Sequence, residues 1–220
     1  RHYELEGVLK NGGRSNPLAK QSIQFFDRGE ELLDRDTIPV LRIRDIGTTG
    51  LTGYEDDRGG RWYRLVRGQG RSNLEGAGGG TYGIGQRAPF AFSDLRLVFY
   101  STQLSDGTNR FMGKTVLCTC LDPESSRPTQ NVAFLGQLTE NEAWVSAITE
   151  LRDIPEFFRR DSVGTDIYIV GFNVLDWQAR ILRSVLSNFY GSIERELINV
   201  TITNDKIQVV DKNSLLGLID

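Results

Sequence analysis

Three short segments of the chain combine polar side chains with glycine in patterns that could do chemistry. The first is Asp45-Ile46-Gly47-Thr48-Thr49-Gly50, an acid followed by two glycines that are three residues apart. A buried carboxylate can accept a hydrogen bond from an exocyclic amine, and glycine lets a flat base approach the backbone closely. Taken alone, an Asp-x-Gly sequence after a strand is more typical of a simple turn.

The second segment is a glycine run that continues into a predicted short helix, Gly78-Gly79-Gly80-Thr81-Tyr82-Gly83-Ile84-Gly85-Gln86-Arg87. Successive backbone N–H groups at a helix start attract anions, and glycine permits close approach to a phosphate. The segment is not a P-loop, because Gln86 stands where a lysine would be expected. It also lacks the preceding strand of a dinucleotide-binding fingerprint. By itself it indicates a hinge as readily as a phosphate site.

The third segment is Gly164-Thr165-Asp166, which leads into the apolar run Ile167-Tyr168-Ile169-Val170. The run is typical of a buried strand, and a threonine at its start is ordinary by itself. Its hydroxyl could nevertheless meet a nucleotide at the end of a sheet.

In this order and at these separations, the three segments resemble the glycine boxes of the GHKL ATPases. This Bergerat-fold group includes gyrase B subunits, MutL, MORC proteins, heat-shock chaperone ATPases and histidine kinases, and the similar region spans residues 38–172. Co-occurrence carries the weight that each motif lacks alone. The resemblance, closest to the MORC, MutL and chaperone branch, implies ATP and Mg²⁺ as cofactors and in-line attack of water on the γ-phosphate.

The resemblance also implies roles for individual residues. Asp45 would bind the adenine amine, Gly47 and Gly50 would lie beneath the nucleotide, and Thr165 would lie near the base. The backbone of the second box would hold the phosphates, through Gly80, Thr81, Tyr82, Gly83, Ile84, Gly85 and Gln86.

Between the first two boxes lies the sharpest shift in composition, since 13 of the 24 glycines fall between residues 47 and 85. So much glycine predicts a long mobile loop or a backbone-lined binding site. By resemblance, residues 51–80 would be a lid that closes over ATP. Trp62 should be buried by docking onto the domain or a partner. Arginines recur at helical spacing, which predicts either a phosphate or nucleic-acid contact or a solvated face balanced by acids: Arg58, Arg61, Arg64, Arg67 and Arg71.

One box of the family is missing from the sequence. Family members carry, on a helix before the first glycine box, an Asn that binds magnesium and, in hydrolysing branches, a Glu that activates water. The polar residues of the predicted first helix do not match that spacing: Gln21, Gln24, Glu30 and Glu31. The chain starts at Arg1, and its single methionine is Met112, so we expect this box to lie upstream. The catalytic residue and metal ligand are therefore unassigned, and we expect weak hydrolysis by this chain.

Composition limits the class of protein. The chain has 220 residues, is 39% hydrophobic, and carries 26 basic against 29 acidic side chains, a net charge of -3. This balance excludes wholesale disorder and gives no global attraction to nucleic acid. No apolar run approaches membrane-spanning length, which predicts a cytoplasmic protein without a membrane partner. Cys118 and Cys120 are expected to be buried thiols, because a zinc site would need two further ligands.

Hydrophobic patterning predicts the elements that would position these residues. Helices are expected at 18–33, at 140–151 with Thr139 as N-cap, and at 174–193. Strands are expected at 38–45, 95–102, 114–121, 131–135 and 166–172, followed by a hairpin at 199–211. The predicted fold is an α/β (α+β) two-layer sandwich. It has a mixed, mostly antiparallel sheet and helices on one face, and forms a single domain.

The expected function is ATP binding with Mg²⁺-dependent hydrolysis. Lid closure would drive homodimerisation or engagement of a DNA or protein client. One alternative is an interaction module that binds ATP as a switch without turnover. A histidine-kinase-like catalytic domain is another, although the only histidine, His2, lacks a phosphoacceptor helix. A scaffold that binds no nucleotide is the third.

Overall fold

The computed structural model describes residues 17–68, 84–117, 130–139 and 144–218, with side chains undescribed at 17–20 and 84. Chain contacts divide the protein into two compact units, residues 1–173 and 174–220. The three glycine-containing segments all fall within the first unit. The two cysteines, His2, Arg71 and residues 80–83 of the second glycine box lie outside the described residues.

The first described element of the first unit is helix α1 (Pro17–Leu33), which confirms the predicted first helix. Pro17 is tolerated at the first position because the amide that it lacks has no partner inside a helix. The helix buries Phe26 and Leu32, whereas Leu33, its last residue, is 45% exposed.

Five strands of the first unit form one sheet: β1 (Val40–Arg44), β2 (Ser93–Gln103), β3 (Asn109–Val116), β4 (Val132–Leu135) and β7 (Gly164–Phe172). Their order is β1-β7-β2-β3-β4, and every pairing is antiparallel. All five predicted strands exist, although β3 starts at Asn109 rather than at Lys114. Because β7 lies between β1 and β2, the end of β1 meets the beginning of β7.

One face of the sheet packs against short helical elements. Helix α2 (Ile84–Ala91) and a π-helix (Tyr63–Arg67) supply Phe90 and Val66 to a core cluster. The sheet contributes Val98 and Tyr100 from β2, whose alternate positions point to the same side. This cluster is the centre of the predicted α/β two-layer sandwich.

The opposite face of the sheet carries a group of aromatic rings. Phe99 lies 5.4 Å from Phe111 and 4.8 Å from Phe158 between ring centroids. Phe158 belongs to a 3-10 helix, Glu156–Phe158, and meets Tyr168 of β7 edge to face at 4.8 Å. The segment before β7 is therefore fixed against the sheet by aromatic packing.

The predicted helix at 140–151 is wrong in its described part. Residues Val145–Ser146 form strand β6, which pairs with strand β5 (Gln137–Leu138), and only Leu151–Asp153 is helical, as one 3-10 turn. Thr139 is not an N-cap, since its backbone N–H donates to the carbonyl of Trp144 at 3.1 Å. Residues 145–146 form a strand because they pair with residues 137–138, a tertiary interaction that the apolar spacing within 140–151 does not reveal.

The second unit combines helix α3 (Trp177–Glu194) with a hairpin of β8 (Val200–Thr203) and β9 (Ile207–Val210). Both elements confirm the prediction. Val185 and Ile193 pack against Val210 and Leu215 in a core cluster. Phe189, on the same helix, is 46% exposed. In the part of the chain that the structure describes, no helix has the length and hydropathy to cross a membrane.

Candidate functional site

Asp45 lies immediately after β1 and is joined to the start of β7 by reciprocal hydrogen bonds. Its backbone N–H donates to the carbonyl of Thr165 at 3.0 Å, and the N–H of Thr165 donates to its carboxylate oxygen Oδ1. The hydroxyl of Thr48 donates to the same oxygen at 3.1 Å. Two predicted site residues, 120 positions apart in the chain, are thus in direct contact.

The second carboxylate oxygen of Asp45 is not used by the described part of the chain. The side chain is half-buried, and Oδ2 has no hydrogen-bond partner among the described residues. An ionised carboxylate has acceptor sites on both oxygens. The donors at Oδ1 orient the group, and none of the described residues uses the acceptor sites of Oδ2.

Glycine is required near Asp45 by backbone angles and by close contacts. Gly47 and Gly50 have φ values of +75° and +69°, which residues with a Cβ rarely adopt. A Cβ on Gly50 would lie 2.6 Å from the carbonyl oxygen of Gln103, whereas one on Gly47 would meet nothing within 4 Å. Gly164, with φ +138°, leaves no room for a Cβ, which would lie 2.4 Å from Asp45 Oδ1.

Two buried threonines, Thr102 and Thr165, lie next to Asp45. Thr102 Oγ1 lies 3.2 Å from Thr165 Oγ1, donates to the carbonyl of Gly164 at 2.8 Å, and accepts the N–H of Leu51 at 2.9 Å. Thr102 was not among the site residues predicted from the sequence. The signal available in the sequence was its position at the end of the predicted second strand. That strand end meets the start of β7 only in the formed sheet, so the sequence alone did not reveal the contact.

The described part of the second glycine box begins helix α2. Gly85 and Gln86 lie in its first turn, where backbone N–H groups lack helical acceptors. The Gln86 side chain donates to the carbonyls of Arg64 and Leu65 at 2.8 Å and of Gly68 at 2.6 Å. This amide therefore closes the end of the π-helix. No hydrogen bond or ion pair between described residues joins Asp45 directly to α2.

Lys114, like Gln86, holds the backbone at the end of the π-helix. Its ammonium group donates to the carbonyls of Val66 at 2.8 Å and Gly68 at 3.2 Å. Burial, and secondarily the charges of Arg87 and Arg67, lower the pKa of Lys114 to about 8. A cation is thus held at the point where the glycine-rich segment leaves the core.

Residues 51–68, the described part of the predicted lid, are packed onto the domain. Trp62 is fully buried, which confirms its predicted docking, and its Nε1 donates to Glu55 Oε1 at 3.0 Å. Glu55 also accepts the N–H of Ala147 at 2.9 Å and pairs with the largely buried Arg67. Arg67 accordingly points into the protein and not onto a solvated basic face.

The described residues hold no group of three or more His, Cys, Asp or Glu side chains that could bind a metal ion. Asp45, with Gly47, Gly50, Gly164 and Thr165 around it, forms an acceptor at the end of a sheet. Such a site suits a planar ligand with an amine donor. The chain matches no protein-family model, and no curated protein is significantly similar to it.

Proposed function

We propose that the first unit binds ATP, with the adenine amine donating to Asp45. The observation that carries the proposal is the Asp45 carboxylate. One of its oxygens is fixed by Thr48 and Thr165, and the other lacks a partner among the described residues. This geometry joins two of the three motifs on which the GHKL resemblance rests. Gly47 supports the proposal, because the space next to its Cα is open on the side where a Cβ would project.

The phosphates of the nucleotide would be held by the second glycine box. Helix α2 has N–H groups without acceptors inside the helix, and the positive end of its dipole, at Gly85 and Gln86, which favours an anion. Residues 80–83, which the resemblance assigns to the same role, lie outside the described part of the chain.

No magnesium ligand is assigned among the described residues, which hold no group of three or more side chains of the metal-binding types His, Cys, Asp and Glu. We therefore derive no step through the metal. Hydrolysis, ATP-dependent homodimerisation and a DNA or protein client follow from the family resemblance alone. When the described residues are taken by themselves, the better-supported form of the proposal is a nucleotide-gated switch. In this form of the proposal, one oxygen of Asp45 accepts hydrogen bonds from Thr48 and Thr165, and the other would accept the adenine amine.

Calorimetric titration with a non-hydrolysable ATP analogue tests the proposal. Asp45→Asn replaces an acceptor oxygen with an amide donor, and we expect at least about tenfold weaker binding, the cost of one hydrogen bond to a charged group. Asp106→Asn is the matched control, because Asp106 also accepts a local hydrogen bond, from Thr108 N at 2.9 Å, in the turn between β2 and β3. Equal affinity of both variants and the wild type would contradict the proposed site.

Phosphate release by the same protein separates the two forms of the proposal. Binding without turnover supports the switch. Turnover that Asp45→Asn abolishes and Asp106→Asn leaves intact would instead support an ATPase.

A further inference from the structure

A buried arginine lies beneath the start of β7. The side chain of Arg160 is 1% exposed and is paired with the equally buried carboxylate of Asp166. The remaining oxygen of Asp166, Oδ2, accepts a hydrogen bond from the Tyr168 hydroxyl at 3.1 Å. A buried charge is tolerated only when it is paired and hydrogen-bonded, so Asp166 holds the guanidinium in place.

The same guanidinium reaches the backbone of the candidate site. Nη2 of Arg160 donates to the carbonyl oxygen of Asp45 at 2.8 Å, and Nε donates to the carbonyl of Ser162 at 3.1 Å. The guanidinium is planar and rigid, so the pairing of Nη1 with Asp166 also sets the direction of Nη2. Arg160 therefore joins the loop before β7 to the end of β1 through one side chain.

This contact restrains the Asp45 side chain. The N–H of Asp45 is held by Thr165 O at 3.0 Å, and its carbonyl is held by Arg160. The backbone on both sides of the Asp45 Cα is thus fixed. This restraint helps the carboxylate to keep the hydrogen bond from Thr165 to Oδ1, and so holds Oδ2 in one position. Gly164 permits the approach, because a Cβ there would lie 2.6 Å from Arg160 Nη2.

We propose that Arg160 is a positioning residue that aims the Asp45 carboxylate at the amine of an adenine nucleotide. The inference rests on the proposed function of the site and adds a residue that no glycine box contains. Arg160 does not touch the ligand in this arrangement. It acts through the backbone of Asp45, and its loss should affect recognition of the amine more than binding of the rest of the nucleotide.

The test compares two nucleotides on the 220-residue chain. ADP carries the amine, and purine riboside diphosphate lacks it. Arg160→Lys keeps a cation for Asp166 but loses the rigid fork that also reaches Asp45. We expect about tenfold weaker binding of ADP, the effect of one hydrogen bond to a charged group, with purine riboside diphosphate nearly unaffected. The preference for ADP should fall by the same factor.

Two further variants keep the test specific. Tyr168→Phe removes a hydrogen bond from the same buried cluster without a contact to Asp45, so the preference for ADP should stay at the wild-type value. The double variant Arg160→Met, Asp166→Asn removes both charges of the buried pair together. It should reproduce the loss of preference, and it carries the test if Arg160→Lys does not fold.

Each outcome decides the inference. Equal weakening of both nucleotides, or a preference unchanged in the arginine variants, would overturn the positioning role while leaving nucleotide binding intact. A loss of preference in Tyr168→Phe as large as in Arg160→Lys would also overturn it. Failure of the wild-type protein to bind either nucleotide would instead overturn the proposed function, and the inference with it.

Discussion

Replacing Gly50 with alanine should destabilise the first unit far more than the same change at Gly47. Both residues have a left-handed backbone, with φ of +69° and +75°. The strain of a Cβ in that conformation, about 1–2 kcal/mol, is common to both variants. Only at Gly50 does the new methyl group also meet fixed atoms, at 2.6 Å from Gln103 O and 2.9 Å from Thr102 Oγ1.

These atoms have little freedom to move. Gln103 is paired on both sides within the sheet, with Asn109 and with Gly164, and Thr102 is 1% exposed. Overpacking of this kind costs about 1–3 kcal/mol, so Gly50→Ala should lose about 2–5 kcal/mol in total. At a urea m-value of about 2 kcal/mol/M, the midpoint should fall by about 1–2.5 M for Gly50→Ala and about 0.5–1 M for Gly47→Ala.

Tryptophan fluorescence can follow this unfolding. Trp62 is fully buried in the core of the first unit, and Trp144→Phe with Trp177→Phe leaves it as the only tryptophan of the chain. The signal then reports the unit that contains both glycines.

Gly107→Ala is the control for backbone strain alone. Its φ is +85°, and a Cβ there would meet nothing within 4 Å. It should match Gly47→Ala in stability, although only Gly47→Ala should weaken binding of an ATP analogue. Equal midpoints for Gly50→Ala and Gly47→Ala would show that the end of β2 yields to the methyl group, and would refute the argument from close contact.

Three further predictions concern the packed face of the sheet. The Tyr100 hydroxyl is buried without a hydrogen-bond partner among the described residues, so Tyr100→Phe should raise the unfolding free energy by about 1 kcal/mol in urea titrations. Burial raises the pKa of Tyr100 above 10.0, so the wild type should lose stability as the pH rises past that value, a loss that Tyr100→Phe should lack. The pKa of Lys114 is about 8 in the folded protein and 10.5 in the unfolded chain, so between these pH values the unfolded chain binds a proton that the folded protein has released. The stability of the wild type should therefore rise with pH in this range relative to Lys114→Met, which urea midpoints would measure. Gln86→Glu removes the donors that close the π-helix and should speed hydrogen exchange in residues 63–68 by about tenfold, whereas unchanged exchange would assign that closure to Lys114 alone.

The elements that sequence could predict are those set by local pattern. The apolar spacing of α1, the continuous apolar run of β7 and the turn residues of the last hairpin each act over a few neighbours. Trp62 belongs to this group, because a large indole in a polar, glycine-rich segment has to be buried somewhere. The predicted helix at 140–151 failed because the partner of Val145–Ser146 is another short strand, Gln137–Leu138, and not the helix's own next turn.

The candidate site was predictable only in part, for a related reason. Asp45, Gly47, Gly50 and Thr165 were selected because their segments together resemble the glycine boxes, and the structure brings Asp45 and Thr165 together. Arg160 and Thr102 do not stand out, since an arginine in a polar loop and a threonine at a strand end are common. Their contacts reach across 115 residues to Asp45 and 63 residues to Thr165, and only the pairing of β7 with both neighbours creates them.

The hydrogen bond between Asp45 and Thr165 has a consequence for the time at which the site appears during folding. It closes a loop of 120 residues, so it forms only after most of the first unit has been synthesised and β7 has entered between β1 and β2. Contacts of such sequence separation are made late, because the entropy of loop closure must be overcome before they stabilise anything. A partly folded or truncated chain that lacks β7 would therefore have the first two glycine boxes but not the contact between Asp45 and Thr165 on which the proposed adenine site depends. Ligand binding would then be a stringent assay for completed folding.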